Sequence, residues 1–333
     1  MSWQRWPQQR NLVVAVALVA SFLVGCADDE EPAADTTTPT TVADTTTPTT
    51  APDTATVPVQ TTTTTSVTPA PTTTTATEAV SSLSVNVYWS WTVPTSYGTP
   101  ERLGAGGRIV TVSDTGSNYV ADLAESAIEE LLAGPDEVES EIGMFTNIPD
   151  GTELVGVDVA DGTATVDLSP EFTEPGGTLG ESSRLAQLVF TLTSIDSIES
   201  VLIAIDGTLT DPVLSQGFVV GAGFERDNFE YVRPFILVES PTPGEAVTAG
   251  TVVVRGESNT FEANIRWEFV NAEGLIVDEG FTTATGGMGT WGDFEFEVDT
   301  EPLSGQLAAV IVFESSPEDG SARNVVEVPI EVS

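Results

Sequence analysis

The chain of 333 residues sets 10 Lys+Arg against 51 Asp+Glu, a formal net charge of -41, with one cysteine and no histidine; every basic residue is an arginine. That inventory excludes Ser-His-Asp and Cys-His nucleophiles, histidine-bound metals, Schiff-base or Ser-Lys chemistry and any internal disulfide. So acidic a surface repels nucleic acid and anionic headgroups, attracts cations and suits a salty exterior, where screening weakens self-repulsion.

Arg5 and Arg10 precede an apolar run at 12–24, the length of a signal-peptide core and too short to span a bilayer comfortably. The run ends in Leu23-Val24-Gly25-Cys26, which resembles the lipobox of bacterial lipoproteins. That resemblance implies cleavage before Cys26 and transfer of a diacylglycerol to its thiol. The competing reading is a plain secretory signal with an incidental cysteine; that Cys26 is the only cysteine favours lipidation. Residues 1–25 are then a signal peptide, and the expected location is extracytoplasmic, lipid-anchored to the cell membrane. Cleavage removes two arginines and no acid, so the remainder is more acidic still.

Residues 26–82 are a Thr/Pro-rich linker in which the octet Ala-Asp-Thr-Thr-Thr-Pro-Thr-Thr occurs at 34–41 and again at 43–50. With almost nothing apolar to bury, the tract is expected to be a disordered stalk reaching roughly 40 Å as a flexible coil. Its composition is open to O-glycosylation or to service as an unmodified spacer.

Folded sequence is expected from residue 83. Residues 85–89 alternate as a strand, 94–107 read as a Pro/Gly-rich loop and 108–112 as a second strand. At 118–133 Val120, Leu123, Ala124, Ala127, Ile128, Leu131 and Leu132 fall on one helical stripe that Gly134-Pro135 stops. Residues 154–159 and 164–168 form a hairpin across Asp161-Gly162, with Val155, Val157 and Val159 on one face. A second helix over 179–195 carries a Thr178/Glu181 capping box and the stripe Leu185, Leu188, Val189 and Leu192. A last strand at 200–205 closes at Asp206-Gly207. The pieces predict an α+β domain over 83–210, with two helices on a small sheet.

The ordered motifs Leu131-Leu132-Ala133-Gly134-Pro135, Ile148-Pro149-Asp150-Gly151-Thr152, Asp161-Gly162 with Val166-Asp167-Leu168-Ser169 and Phe172, and Gln187-Leu188-Val189 with Thr191-Leu192 resemble the GerM domain of sporulation and germination proteins. That family is related to ring-building modules, and the resemblance implies assembly or protein binding rather than catalysis.

Beyond a connector at 211–235, helical periodicity gives way to short β-rich runs at 236–239, 251–256, 263–270, 275–281, 294–298, 307–313 and 325–332. Gly, Pro and Asp/Asn clusters separate them, which predicts an all-β immunoglobulin-like sandwich over 236–333. Pro329 suggests an edge position for the last run. Ser240-Pro241, Pro243-Gly244, Phe261-Glu262-Ala263, Trp291-Gly292, Phe294 and Asp319-Gly320-Ser321 resemble the immunoglobulin-like module of spore-germination proteins, which commonly follows a GerM domain. Arg226-Asp227-Asn228-Phe229 in the connector is the candidate to dock the two domains together.

Trp89, Trp91 and Tyr97 form an aromatic group that reads either as core packing or as a sugar-stacking platform. Arg108 and Arg184 stand out where cations are scarce; ion pairing with nearby acids is the simpler reading, contact with a partner or an anionic wall polymer the other. Asp319-Gly320-Ser321 and residues 158–162 lack EF-hand spacing and read as turns, so neither metal nor cofactor is expected. The function these readings favour is a non-enzymatic envelope lipoprotein that binds a partner protein or itself. The alternative is a module that binds or remodels peptidoglycan.

Overall fold

A computed structural model describes residues 80–92, 101–113, 118–210, 214 and 223–333. Residues 1–79, on which the expected signal peptide, Cys26 and most of the expected stalk fall, lie outside the described residues, as does Tyr97.

The first domain opens on two long antiparallel strands, β1 (Val80–Thr92) and β2 (Glu101–Ser113), in register from Val80↔Ser113 to Thr92↔Glu101. β1 thus begins ahead of residue 83, and β2 takes in residues 101–107, expected to be loop. The glycines there do not break the strand; they let other parts of the chain press on it. A Cβ at Gly106 would lie 1.9 Å from Glu139 Oε1, and one at Gly104 would lie 2.7 Å from the Met144 side chain.

α1 (Tyr119–Ala133) buries Leu123, Ala124, Ala127, Ile128 and Leu131 and ends at Gly134, whose φ is 88°. A short helix with no apolar stripe to announce it, α2 (Glu137–Glu141), follows at once. Asp136 accepts the Glu139 N–H at 2.9 Å while Glu139 accepts the Asp136 N–H at 2.7 Å, a reciprocal cap. β3 (Met144–Phe145) then joins the free edge of β1, giving the order β2-β1-β3.

β4 (Leu154–Ala160) and β5 (Thr163–Leu168) form the hairpin, with φ angles of 49° and 79° at Asp161 and Gly162. The valines do not share one face. A bulge between Leu154 and Gly156 turns Val155 outward to 57% exposure, while Leu154, Val157 and Val159 pack on the core. Val155→Thr is therefore expected to change stability by less than about 0.5 kcal/mol. Val157→Thr, which sets a hydroxyl against the core, is expected to cost about 1–3 kcal/mol in urea unfolding. Equal losses at the two positions would contradict the bulged register.

α3 (Gly177–Leu192) starts at Gly177 rather than 179, with Gly176 as N-cap and no side-chain cap bond, so Thr178 lies inside the first turn instead of capping it. Every residue from Glu181 to Leu192 is buried. The hydrophobic stripe conceals this, because Ser182, Ser183, Gln187 and Thr191 complete the circumference. β6 (Ser200–Ile205) and β7 (Thr208–Leu209) finish a second sheet ordered β4-β5-β6-β7, with β5 and β6 parallel. α1 packs on β1, β2 and β4, α3 packs on β1, β2 and β6, and the two helices touch. The domain is α+β as expected, but its described residues form three α-helices and two sheets where two helices on one small sheet were expected. α3 is buried all round because it lies between those sheets.

The second domain is a β-sandwich of β8 (Ile236–Ser240), β9 (Ala246–Val247), β10 (Thr251–Ser258), β11 (Asn264–Asn271), β12 (Ile276–Thr283), β13 (Gly292–Asp299), β14 (Gln306–Ser315) and β15 (Ala322–Val332). One sheet runs β13-β10-β8 and the other β12-β11-β14-β15-β9. Val254, Ile265, Phe269, Val298, Val310 and Ile330 fill the space between them, and Trp267 stacks on Phe296 with ring centres 5.0 Å apart. β15 is not an edge strand, because β9 flanks it. Yet β9 reaches only Glu331 and Val332, and the Pro329 carbonyl accepts the Gly244 N–H at 2.8 Å, so the missing N–H of Pro329 interrupts no ladder.

On the outer face of the larger sheet Glu268 stands directly opposite Glu279. Burial first, and then the Glu279 charge, hold the Glu268 carboxyl above its usual range. The unfolded chain ionises this group more readily, so its charge costs the fold stability above the carboxylate range, and the cost disappears as pH falls below it. Glu268→Gln is expected to raise the melting temperature at about pH 7 and leave it unchanged at about pH 3. No helix among the described residues is long and apolar enough to cross a membrane.

Candidate functional site

The connector supplies the most concentrated polar chemistry among the described residues. Phe224 pairs by backbone hydrogen bonds with Val201 of β6, and Phe229 is fully buried beside it, ring centres 5.7 Å apart. These two aromatics pin residues 224–229 to the first domain. The Asn228 side chain accepts the Glu225 N–H at 2.9 Å and closes a 3-10 turn over Arg226–Phe229. Further on, the Val232 carbonyl accepts the Leu103 N–H at 3.0 Å, which extends the pairing of β2.

So held, Arg226 reaches both domains. Its Nε donates to Thr193 Oγ1 at 3.0 Å and Nη2 to the Tyr88 hydroxyl at 3.4 Å, both in the first domain. Its Nη1 donates to Glu239 Oε1 of β8 at 3.0 Å and Glu257 Oε1 of β10 at 2.5 Å, both in the second. Tyr88 in turn donates to Glu239, and Asn86 Nδ2 donates to the Glu239 carbonyl at 3.0 Å. Arg233 pairs with the other oxygen of Glu257 and lays its guanidinium 3.6 Å from the centre of the Trp291 ring. Phe190 of α3 lies under both guanidinia, 4.8 Å from Arg226 and 5.7 Å from Arg233.

Burial works against the Arg226 charge, but the Glu239 and Glu257 carboxylates outweigh it and hold the guanidinium above its ordinary value. Burial, with Glu239 beside it, pushes the Tyr88 hydroxyl well above its usual range, so Tyr88 stays a donor. Removing one member of such a buried network costs more than the intact network contributes, because the remaining groups stay desolvated without a partner.

Apolar contacts run alongside. Leu237 of β8 belongs to the core of the first domain, and Trp91 of β1 packs against both cores. Close backbone approach needs glycine on each side: a Cβ at Gly107 would lie 2.5 Å from Thr242 Oγ1, and one at Gly244 would lie 3.1 Å from the Val138 side chain. A polar cleft of about 490 Å³ opens beside Arg226, lined by Asn86, Ser194, Asp196, Glu199 and Asp227 among others. No group of three or more His, Cys, Asp and Glu side chains among the described residues could hold a metal ion. Asp319-Gly320-Ser321 is a turn in which Ser321 donates to Asp319 Oδ1 through both N–H and Oγ, at 3.1 and 2.7 Å.

The residues singled out from the sequence fall elsewhere. Trp89 is fully buried in the first core, and Trp91 donates its ring N–H to the Ile142 carbonyl at 2.9 Å. The Trp89 ring has no face open to a sugar, whereas Trp91 is half-buried. Arg108 is turned inward: it grips Glu139 through two bonds of 2.8 and 2.6 Å, with Glu130 at 3.4 Å and the Trp89 ring beneath it. Arg184 is buried and donates to the carbonyls of Asn147, Phe172 and Glu174 at 3.1, 2.6 and 2.8 Å. Both guanidinia are engaged with acceptors inside the first domain. Tyr88, Arg233, Glu239 and Glu257 were missed. The scarcity of cations that drew attention to Arg108 applied equally to Arg233, but nothing local tied Tyr88, Glu239 or Glu257 to it.

The architecture is that of an α+β domain in tandem with an immunoglobulin-like sandwich, joined through an arginine network. Residues 86–211 match the Germane family, described as sporulation and spore germination, and residues 235–321 match Gmad2, the immunoglobulin-like domain of bacterial spore germination. The chain therefore carries these two germination-associated domains in order. Among solved structures it is similar to the tandem GerMN domains of the sporulation protein GerM from Bacillus subtilis, at 16% identity and a TM-score of 0.33, covering 66% of this chain and 62% of that one. The first GerMN domain of that protein matches at 20% identity and a TM-score of 0.29, covering 42% of this chain and 98% of that one. A candidate lipoprotein from Clostridium perfringens matches at 20% identity and a TM-score of 0.31, covering 46% of this chain and 93% of that one. No curated protein matches the chain.

Proposed function

We propose that this chain is a non-enzymatic, lipid-anchored protein of the cell envelope that presents its two domains as a single body for binding a protein partner. The observation that carries the reading is the joint: Arg226 is committed to acceptors in both domains at once, an arrangement that serves presentation of a fixed surface rather than turnover. The lipobox-like Cys26 and the Thr/Pro-rich stalk support tethering, with the anchor and stalk setting the effective concentration at which partners meet. Trp89, one of the aromatics that favoured the glycan-binding alternative, is fully buried in the first core, which supports the protein-binding reading.

The full chain, expressed in a bacterial host, should incorporate labelled fatty acid, and Cys26→Ser should abolish it. Crosslinking in whole envelopes should then trap a defined protein partner. Release of soluble sugar from purified peptidoglycan would replace this reading with an enzyme, and a chain that stays monomeric and crosslinks to nothing would overturn it.

A further inference from the structure

β12 ends the larger sheet of the sandwich, laddered to β11 on one side and to no described strand on the other, although its Thr282 hydroxyl donates to the Glu295 carbonyl of β13 at 3.0 Å. Sheet edges are usually blunted by basic charge, proline or brevity. β12 has eight residues with neither lysine, arginine nor proline, and what guards its edge is the acidic pair Asp278 and Glu279 and the bulge near Val277, where its register with β11 shifts. Its apolar side chains stay in solvent: Phe281 is 71% exposed and Ile276 49%, and Leu275 just before the strand is 66% exposed. Apolar exposure along an unpaired edge is what strand addition uses.

The charges on the edge identify the occupant. Glu279 and Phe281 lie two residues apart and so share the outer face. Glu279 is directly opposite Glu268, and Phe281 is opposite Arg266. Like charges facing each other across a ladder are unfavourable; Arg266 partly offsets Glu268, and Glu279 on the edge strand is the carboxylate left for an incoming cation to neutralise. A second copy of this chain would bring Asp278 and Glu279 against their own kind in a chain of net charge -41.

Resting on the protein-binding reading above, we infer that β12 is a docking edge for an extended strand of a partner protein, one that carries a basic residue and an apolar residue two positions apart to meet Glu279 and Phe281. Backbone hydrogen bonds along the edge supply affinity, and the two side-chain positions supply selectivity.

The test uses the full chain in detergent and two short synthetic peptides, one of alternating valine and lysine and one of alternating valine and glutamate. The lysine peptide should slow amide hydrogen exchange in residues 276–283 by about tenfold, as expected when an edge amide enters a ladder, and the glutamate peptide should not. Glu279→Lys should invert that preference, and the milder Glu279→Gln should weaken it. No protection with either peptide, or equal protection with both, would overturn the proposal. So would protection of β12 that rises with protein concentration in the absence of peptide, which would mark the occupant as a second copy. Recovery of the same envelope partner by the Glu279→Lys chain would overturn the docking edge and leave the binding function standing, so the two failures are distinguishable.

Discussion

Arg226→Ala is expected to lower the unfolding midpoint by roughly 10 °C and to separate the melting of the two domains. The guanidinium supplies bonds to Thr193, Tyr88, Glu239 and Glu257, and the side chains of Arg226, Glu239 and Glu257 are all mostly buried. Removing one partner from such a set leaves the others desolvated and uncompensated, a loss of about 3–5 kcal/mol. For a folded region of this size each kcal/mol shifts the midpoint by about 2–4 °C. Arg233 would keep its pairing with Glu257, but the Glu239 carboxylate would keep the Tyr88 hydroxyl without the charge of Arg226. Arg226→Lys should recover little, because an ammonium on a flexible stem cannot reproduce a planar fork that serves acceptors on two domains. Calorimetry of the full chain decides this: a single unshifted transition in the alanine variant would show that apolar contacts alone hold the joint.

Arg184→Met should be nearly as costly, at about 3–5 kcal/mol, with the damage confined to the first domain. The side chain is buried in the wall of α3 and donates to three carbonyls on two separate loops. Methionine keeps most of the volume and none of the donors, so each carbonyl loses a buried partner worth about 1–3 kcal/mol. Burial already lowers the pKa of this guanidinium below its ordinary value, opposed by Glu181 and Glu174. Its charge is therefore tolerated for the hydrogen bonds it makes. Gln187, one turn along α3, accepts the Asn147 N–H at 2.9 Å and donates to the Tyr88 carbonyl at 3.2 Å, so the same loop is tied twice. Limited proteolysis between residues 147 and 176 should accelerate in Arg184→Met and be partly rescued in Arg184→Lys. An unchanged cleavage rate with an unchanged urea midpoint would contradict the role assigned here.

Much of the secondary structure was legible because it is periodic. α1 has an apolar stripe, the sandwich strands alternate, and Asp161-Gly162 has one common use in a hairpin. Errors arose where a local signal had a second cause. The glycines of β2 read as a loop, but they are there because Glu139, Trp89 and Met144 close over the strand. α2 was passed over because it has no hydrophobic stripe, although Asp136 and Glu139 carried the spacing of a reciprocal cap. Trp89 read as part of a surface platform or as core, and only packing could place it in the core.

The sequence by itself determined composition-level facts and local geometry: an arginine-only cation set in a very acidic chain, no histidine chemistry, a lipobox-like Cys26, and two folded regions of opposite periodicity. These depend on residue identity and near neighbours, which a sequence states outright. The tertiary structure alone decided where the scarce cations are used. Tyr88, Thr193, Arg226, Arg233, Glu239, Glu257 and Trp291 are scattered along the chain and meet only because the connector is pinned between two cores. An ion pair carries no periodicity, and its distance is set by packing, so its partners become visible only once the fold brings them together.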